Sequence, residues 1–399
     1  MSNATSFEAT MPLGAKARST QRFAMETLDR DGIAALPEAQ WDELVAHALV
    51  ENPFYSRMQV MAALESVDSN KRVRALAFHG ANGALAGLFF FQPRSKVPAP
   101  FPVANSLTNN YLLNGIPLIH RDHAAGVVEA FTEAVRSGSA PRLWAFDDVH
   151  MDSPLASLLQ TSAKAKNLAV TSALPYERAF LTRLPGGFDA HLNEVLSKNR
   201  LKDVRRTMRR LGEAGTIALE HVEEPALLAE RLEQFLALEH AGWKGQMGTS
   251  FLSHDADAAF ARKGYGGGLA SVDSLLFDGK PIAMKLSIRT GSIAYTPKIA
   301  YDEDFKKLGP GMALEYMLIE DFYASDRLSA VDAAATAEGH SALNFFNNQK
   351  PMAKLIIGRH GWQVRFLRRL HEGRETLKKK VAAWKAGRTA AATKPGAAN

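Results

Sequence analysis

Tyr301-Asp-Glu-Asp-Phe-Lys306-Lys307-Leu308-Gly309-Pro310-Gly311-Met312-Ala-Leu-Glu-Tyr-Met-Leu-Ile-Glu-Asp-Phe322 joins a β-rich region to a helix through a loop of cations and glycines. Residues 286–289 and 292–299 before it read as a strand pair turning at Thr290-Gly291, and Met312, Leu314, Met317, Leu318 and Ile319 supply the apolar positions of the helix after it. A strand, a glycine loop and a helix start bring unpaired N–H groups and the positive helix end to one place, which suits an anion. Gly309 and Gly311 let the backbone approach a diphosphate with no Cβ in the way. The expected phosphate contacts are Lys306, Lys307, Leu308, Gly309, Gly311 and Met312, with helix N–H groups from Met312 onward. A plain left-handed turn into a helix would explain the same glycines.

Outward from this loop, two distant segments share a pattern. Residues 73–91 and 272–288 each read as strand, tight turn and strand, with the turns at Asn82-Gly83 and Asp278-Gly279. Gly279 lies 196 residues after Gly83 (279 − 83), so one architecture is expected twice. Helical periodicity at residues 38–50, 123–137 and 225–241 makes the class α/β of the α+β kind. Leu184-Pro-Gly-Gly-Phe188 is the best breaker cluster between the copies. The expected organisation is a loose start over 1–22, halves at 23–185 and 186–370 with a core each, and a basic helix fading into a disordered tail over 371–399.

At 399 residues, 46% hydrophobic and 23% charged, the composition is globular and long enough for two domains. No apolar run reaches the roughly 20 residues of a bilayer span, and the polar start is unlike a secretory signal, so a cytoplasmic protein is expected. Zero cysteines exclude disulfides, thiolate nucleophiles and Cys-ligated metal. From Arg365 onward ten Lys/Arg face Glu372 and Glu375, so this segment carries +8 of the net +6 and the rest stands at −2. Such an end is a solvated helix or a peripheral contact with an anionic surface. His120-x-x-His123 and Asp147-Asp148-x-His150 lack a third element at a convincing spacing, so no metal is expected.

Residues 197–214 place Leu201, Val204, Met208 and Leu211 on one stripe, with Lys198, Arg200, Lys202, Arg205, Arg206, Arg209 and Arg210 crowding the rest. A solvated helix or a phosphate-bearing partner would both produce this. In Glu239-His-Ala-Gly-Trp243-Lys244-Gly-Gln-Met-Gly248-Thr249, Trp243 could wall an acceptor cleft and Lys244 contact an anion there, or both could be packing.

Asn52-Pro53-Phe54-Tyr55, the basic Ser197-Lys-Asn-Arg200 helix, the Trp243-Lys244 segment and the Gly309-Pro310-Gly311 turn occur here in the order seen in the CelD-like acetyltransferases associated with cellulose biosynthesis. Lys306 to Gly311 also resembles the R/Q-x-x-G-x-G/A motif of GNAT enzymes, with Lys in the first place. The resemblance spans residues 52–362 and implies tandem GNAT-like halves, each a mixed, mostly antiparallel sheet flanked by helices, distantly similar to Fem-type aminoacyltransferases. It further implies acetyl-CoA or another acyl-CoA as donor and an amine acceptor, small or glycan-borne. A tRNA-dependent aminoacyl transfer and a non-catalytic assembly or nucleic-acid-binding role stay open. Many of that family have Tyr-Lys shortly after the last Asp, whereas this chain has Asp332-Ala-Ala-Ala-Thr-Ala-Glu338-Gly-His340. An amine must lose a proton before attacking a thioester, which makes His340, Asp332, Glu338 and Tyr295 the catalytic candidates, His340 first because its ordinary pKa is about 6.5.

Overall fold

The computed structural model describes residues 22–94, 96–336 and 344–392. Its strands are β1 (Ala24–Leu28), β2 (Arg74–His79), β3 (Leu85–Gln92), β4 (Ala104–Ser106), β5 (Leu118–Ile119), β6 (Leu143–His150) and β7 (Ala169–Thr182), then β8 (Ile217–Val222), β9 (Ala270–Phe277), β10 (Lys280–Thr290), β11 (Ile293–Tyr301), β12 (Ala330–Thr336) and β13 (Asn348–Gly358). They form one sheet in the order β1-β2-β3-β4-β6-β13-β7-β12-β11-β10-β9-β8, with β5 beside β3. The architecture is thus α/β with a mostly antiparallel sheet flanked by helices.

Both expected hairpins form, β2–β3 and β9–β10. The second turns through Asp278 and Gly279, both at positive φ (47° and 79°), the geometry that Asp-Gly accommodates with least strain. The hairpins hold equivalent places. In each half three antiparallel pairings (β1–β2–β3–β4, β8–β9–β10–β11) lead to a parallel one, β4–β6 or β11–β12, and among the described residues these two are the parallel pairs. The last strands are then exchanged. β13, from the second half of the sequence, lies beside β6, and β7, from the first, lies beside β12, while β7 and β13 pair with each other.

The expectation of one core per half needs correction. Alternate residues of β2 face opposite ways. Ala75 and Ala77 join a cluster that also holds Phe54, Leu64, Phe235, Phe260, Val272 and Met284, so helices Arg57–Glu65, Pro225–Ala241 and Asp255–Gly264 of both halves bury a single core on one face. Leu76 and Phe78 face a separate cluster under helices Ala124–Ser137 and Pro154–Ala165. The matching face of the second half is covered by helices Lys198–Ala214 and Pro310–Ala324. The last helix, Gly361–Ala392, carries the expected basic helix on into Ala390-Ala-Ala392, alanine being the best helix former. Among the described residues no helix is long and apolar enough to cross a membrane.

Candidate functional site

β11 and β12 pair only over Ile293–Tyr295 and Ala330–Asp332, and beyond Tyr295 the two parallel strands part. The chain leaving β11 makes a 3-10 turn, Glu303–Leu308, then Gly309 at φ 60°, then helix Pro310–Ala324 with proline in its first turn. A Cβ on Gly311 would sit 3.5 Å from Tyr301, ordinary contact, so the bare position leaves room beside the turn. Gly309 has similar space, 3.5 Å to Thr207 of the basic helix, but its positive φ itself favours glycine. Lys306 and Lys307 are exposed, and Lys306 pairs with Glu303 at 3.2 Å, whose carboxylate raises the lysine pKa. The expected N–H donors differ in part. Met312 and Ala313 both donate to Gly309 O at 3.1 Å, and Pro310 has no N–H. Any anion at this turn would meet the two exposed lysines and the room at Gly311 rather than a row of open helix N–H groups.

Of the catalytic candidates, Tyr295 and Asp332 are register partners across the parallel pair. Tyr295 is buried, donates its hydroxyl to Glu51 O at 3.1 Å and has its pKa pushed up by burial, with Asp332 and Glu51 adding to the effect. Asp332 is buried too. Its Oδ2 accepts from Lys350 at 3.1 Å, and its Oδ1 accepts from Ala334 N at 2.8 Å and lies 3.9 Å from Arg178. Burial lowers the Lys350 pKa, and Asp332 opposes that. Paired to two cations, Asp332 serves as their anchor better than as a base. His340 and Glu338 lie outside the described residues.

Trp243 is 43% exposed and, with Lys244, borders a small cleft against Ile299, Tyr301 and Glu303. Lys244 does not point an open cation at an acceptor. It donates to Ile299 O at 2.6 Å and to Glu239 at 3.2 Å, and the fully buried Glu239 also takes Lys298 at 3.2 Å and Phe251 N at 2.9 Å. Burial pushes the Lys244 pKa down. The lysine braces β11 against helix Pro225–Ala241.

Sequence reasoning missed a cavity of about 1060 Å³ lined from β6, β7, β12, β13 and the last helix. On its wall Asp147 is shared by Lys96, at 2.8 Å, and Lys354, and it also accepts from Thr108 at 3.0 Å. Burial pulls the Lys96 pKa down to about 8, with Asp148 opposing. Burial and Lys96 likewise lower that of Lys354, against the pull of Asp147. A polar chain leads from the cavity to the parted strands: Tyr176 donates to Asp148 at 2.8 Å, Arg178 to the Tyr176 oxygen at 2.9 Å, and Arg178 faces Asp332. The available signal was Lys354 alone in Met-Ala-Lys-Leu-Ile-Ile, a charge inside an apolar strand that must find a partner.

Residues 198–342 match the model of the acetyltransferase (GNAT) domain family. FemX is similar in structure over 86% of this chain and 99% of its own, with a TM-score of 0.55 at 12% identity. The C-terminal domain of a putative lysylphosphatidylglycerol synthetase from Agrobacterium fabrum matches over 82% of this chain and 92% of its own (TM-score 0.50, 13% identity). A conserved protein of unknown function from Bacteroides thetaiotaomicron matches over 81% and 97% (TM-score 0.50, 10% identity). At such identities the likeness is one of fold. No curated protein matches the chain in sequence.

Proposed function

We propose that the chain is an acyl-CoA-dependent N-acyltransferase, with acetyl-CoA the first donor to test and an amine of polysaccharide or cell-envelope assembly the acceptor. The observation that carries this is the parting of parallel strands β11 and β12 directly before the Gly309-Pro310-Gly311 turn, all inside the stretch that matches the acetyltransferase family. Lys306 and Lys307 would hold the donor's phosphates beside the bare Gly311, and the donor supplies a thioester. The chain's own task is to orient the amine and take its proton. His340 keeps the role of base on chemical grounds, because Asp332 is tied to Lys350 and Arg178 and the Tyr295 hydroxyl is buried against Glu51.

Calorimetric titration with acetyl-CoA and CoA tests the donor site. Gly311→Val should abolish binding with the melting curve kept, since the new Cβ meets only an ordinary contact. Lys306→Glu should weaken it, with the loss shrinking at high salt as exposed charges are screened over about 10 Å at 0.1 M. Equal affinities in wild type and both variants would remove the donor from this turn. The cation-rich helix Lys198–Ala214 touching the turn through Thr207 supports a second reading, aminoacyl transfer from tRNA. Tight tRNA binding with a steep salt slope and no CoA binding would select it.

A further inference from the structure

His120 gains in the fold the neighbours that its spacing in the sequence lacks. Helix Glu38–Ala46 buries Trp41, Leu44 and Val45, which leaves Glu43 and His47, one turn apart, on its outer side. His47 caps this helix, and the chain after it runs antiparallel to the end of β5. Leu49 N–H donates to Ile119 O at 2.8 Å, Arg121 N–H donates to His47 O at 2.9 Å, and Ala48 forms an isolated bridge with His120. His120 N–H in turn donates to Ala86 O at 2.9 Å beside the β3–β5 pairing. These backbone bonds stack the His47 and His120 rings, with centroids 5.4 Å apart and planes at 19°.

One donor atom from each of Glu43, His47 and His120 consequently lies within 4.8 Å of the other two, and among the described residues no other three imidazole or carboxylate groups come so close. His47 Nδ1 and Glu43 Oε1 are 3.1 Å apart. Ligands bonded at 2.0–2.2 Å to a tetrahedral zinc ion stand roughly 3.4 Å from one another, so this pair is already at ligand spacing and His120 has about 1 Å to close. An ordinary surface ion pair accounts for Glu43 with His47, but not for the second imidazole stacked on it.

The donor set selects the ion. Two imidazoles and a carboxylate suit zinc and its neighbours, whereas calcium and magnesium take shells of oxygen. Asp122 supplies the outer carboxylate that commonly orients a ligating histidine: its Oδ2 lies 3.9 Å from His120 Nδ1, which leaves Nε2 to face the ion. Of the charged groups joined to the cluster, Glu43 and Asp122 are negative and Arg121 is positive. The Arg121 side chain is turned onto the carbonyls of Ala46 and His47, both at 3.3 Å.

We infer that Glu43, His47 and His120 form a three-ligand site for one divalent ion of the zinc class, open to solvent at its remaining position. The ion fastens helix Glu38–Ala46, which enters the shared core through Trp41 and Leu44, to the end of β5. This site is independent of the acyltransferase reading and carries no step of the transfer.

The test is calorimetric titration of the full chain, free of added histidines and stripped by a chelator, with zinc chloride at neutral pH. One equivalent should bind with a Kd of about 10 μM or tighter, and the melting temperature should rise with zinc concentration. His47→Gln and Glu43→Gln should each weaken binding at least about tenfold. Both side chains are exposed, so the metal-free melting curves should stay unchanged. His79→Gln, which breaks the pair of His79 with Glu26 at 3.0 Å on β1 and β2, should leave zinc binding as it was, and magnesium should not bind. No binding at about 100 μM zinc, an unchanged affinity in His47→Gln, or an equal loss in His79→Gln would each overturn the site.

Discussion

The parallel pairs β4–β6 and β11–β12 occupy the same place in the two halves, yet the chain beyond them is built differently. After β4 it folds back and plugs the junction: Gly115 N–H donates to Asp147 O at 3.0 Å, and Asp147 N–H donates to Ser106 Oγ at 2.8 Å. After β11 it leaves through an exposed lysine-bearing turn that caps a helix with Gly309. The first half has instead kept buried charge beside its junction, Asp147 with Lys96 and Lys354. The two halves present equivalent junctions, and local sequence gives one an open turn and the other a charged chamber.

The largest effect that could break this contrast lies in the buried charges. Lys285 and Glu315 in the second half pair through two bonds of 2.7 and 2.8 Å, both side chains buried. Glu315→Ala should cost about 3–5 kcal/mol in urea unfolding, because it strands a buried cation. Asp147→Ala should cost less, about 2 kcal/mol, since Lys96 already has a lowered pKa and can shed its proton. Equal costs would mean that the two centres are the same kind of ion pair.

The plug itself comes next. A Cβ on Gly115 would meet Asp147 O at 2.6 Å and Ser106 Oγ closer still, whereas Gly311 has room. Gly115→Val should destabilise by about 3 kcal/mol, and Gly311→Val by well under 1 kcal/mol.

Two histidines sharpen the contrast through pH. Burial, helped by Lys354, Arg374 and Lys96, pushes His371 down to about 3. Its contribution is therefore present above the unfolded pKa of about 6.5 and is lost as pH falls toward 3, at up to about 1.4 kcal/mol per pH unit. Burial is the largest influence on His221 and opposes its protonation, but the hydrogen bond to Asp273 at 2.6 Å, the charge of that carboxylate and the contact with Glu223 together raise its pKa. Its contribution is full below about 6.5 and is lost as pH rises through the folded value. Between pH 6.5 and 5, His371→Gln should flatten the fall of stability toward acid, whereas above pH 6.5 His221→Asn should flatten the fall toward alkali. Unfolding curves at matched pH decide, and a shared direction would refute the assignment.

Gly309→Ala should cost about 1–2 kcal/mol for its left-handed backbone, and Gly309→Asn less. Smallest of all, removing residues 388–399 should leave the melting temperature unchanged, since few apolar groups there can be buried.

The legible parts of this molecule were those written in neighbouring residues. Asn82-Gly83 and Asp278-Gly279 announce their hairpins because turn geometry is local, and Gly309-Pro310-Gly311 announces a helix start for the same reason. The charged chamber was not legible, because Asp147, Lys354 and Lys96 come from separate strands and loops and meet only through the exchange of β7 and β13. Trp243-Lys244 misled for a related reason: Lys244 spends its charge on Glu239 and a β11 carbonyl, and the sequence does not show how far a side chain must reach for a partner.

The exchanged strands also constrain how the molecule is made. While the protein emerges from the ribosome, β6 has no partner on its inner edge until residues 348–358 arrive, half the chain later. An unpaired edge of that kind attracts other strands, so the first half waits in its most association-prone form throughout synthesis of the second. Once β13 slots in, neither half can leave without tearing the centre of the sheet. The finished protein gives up independent domains and gains a single closing step, taken last.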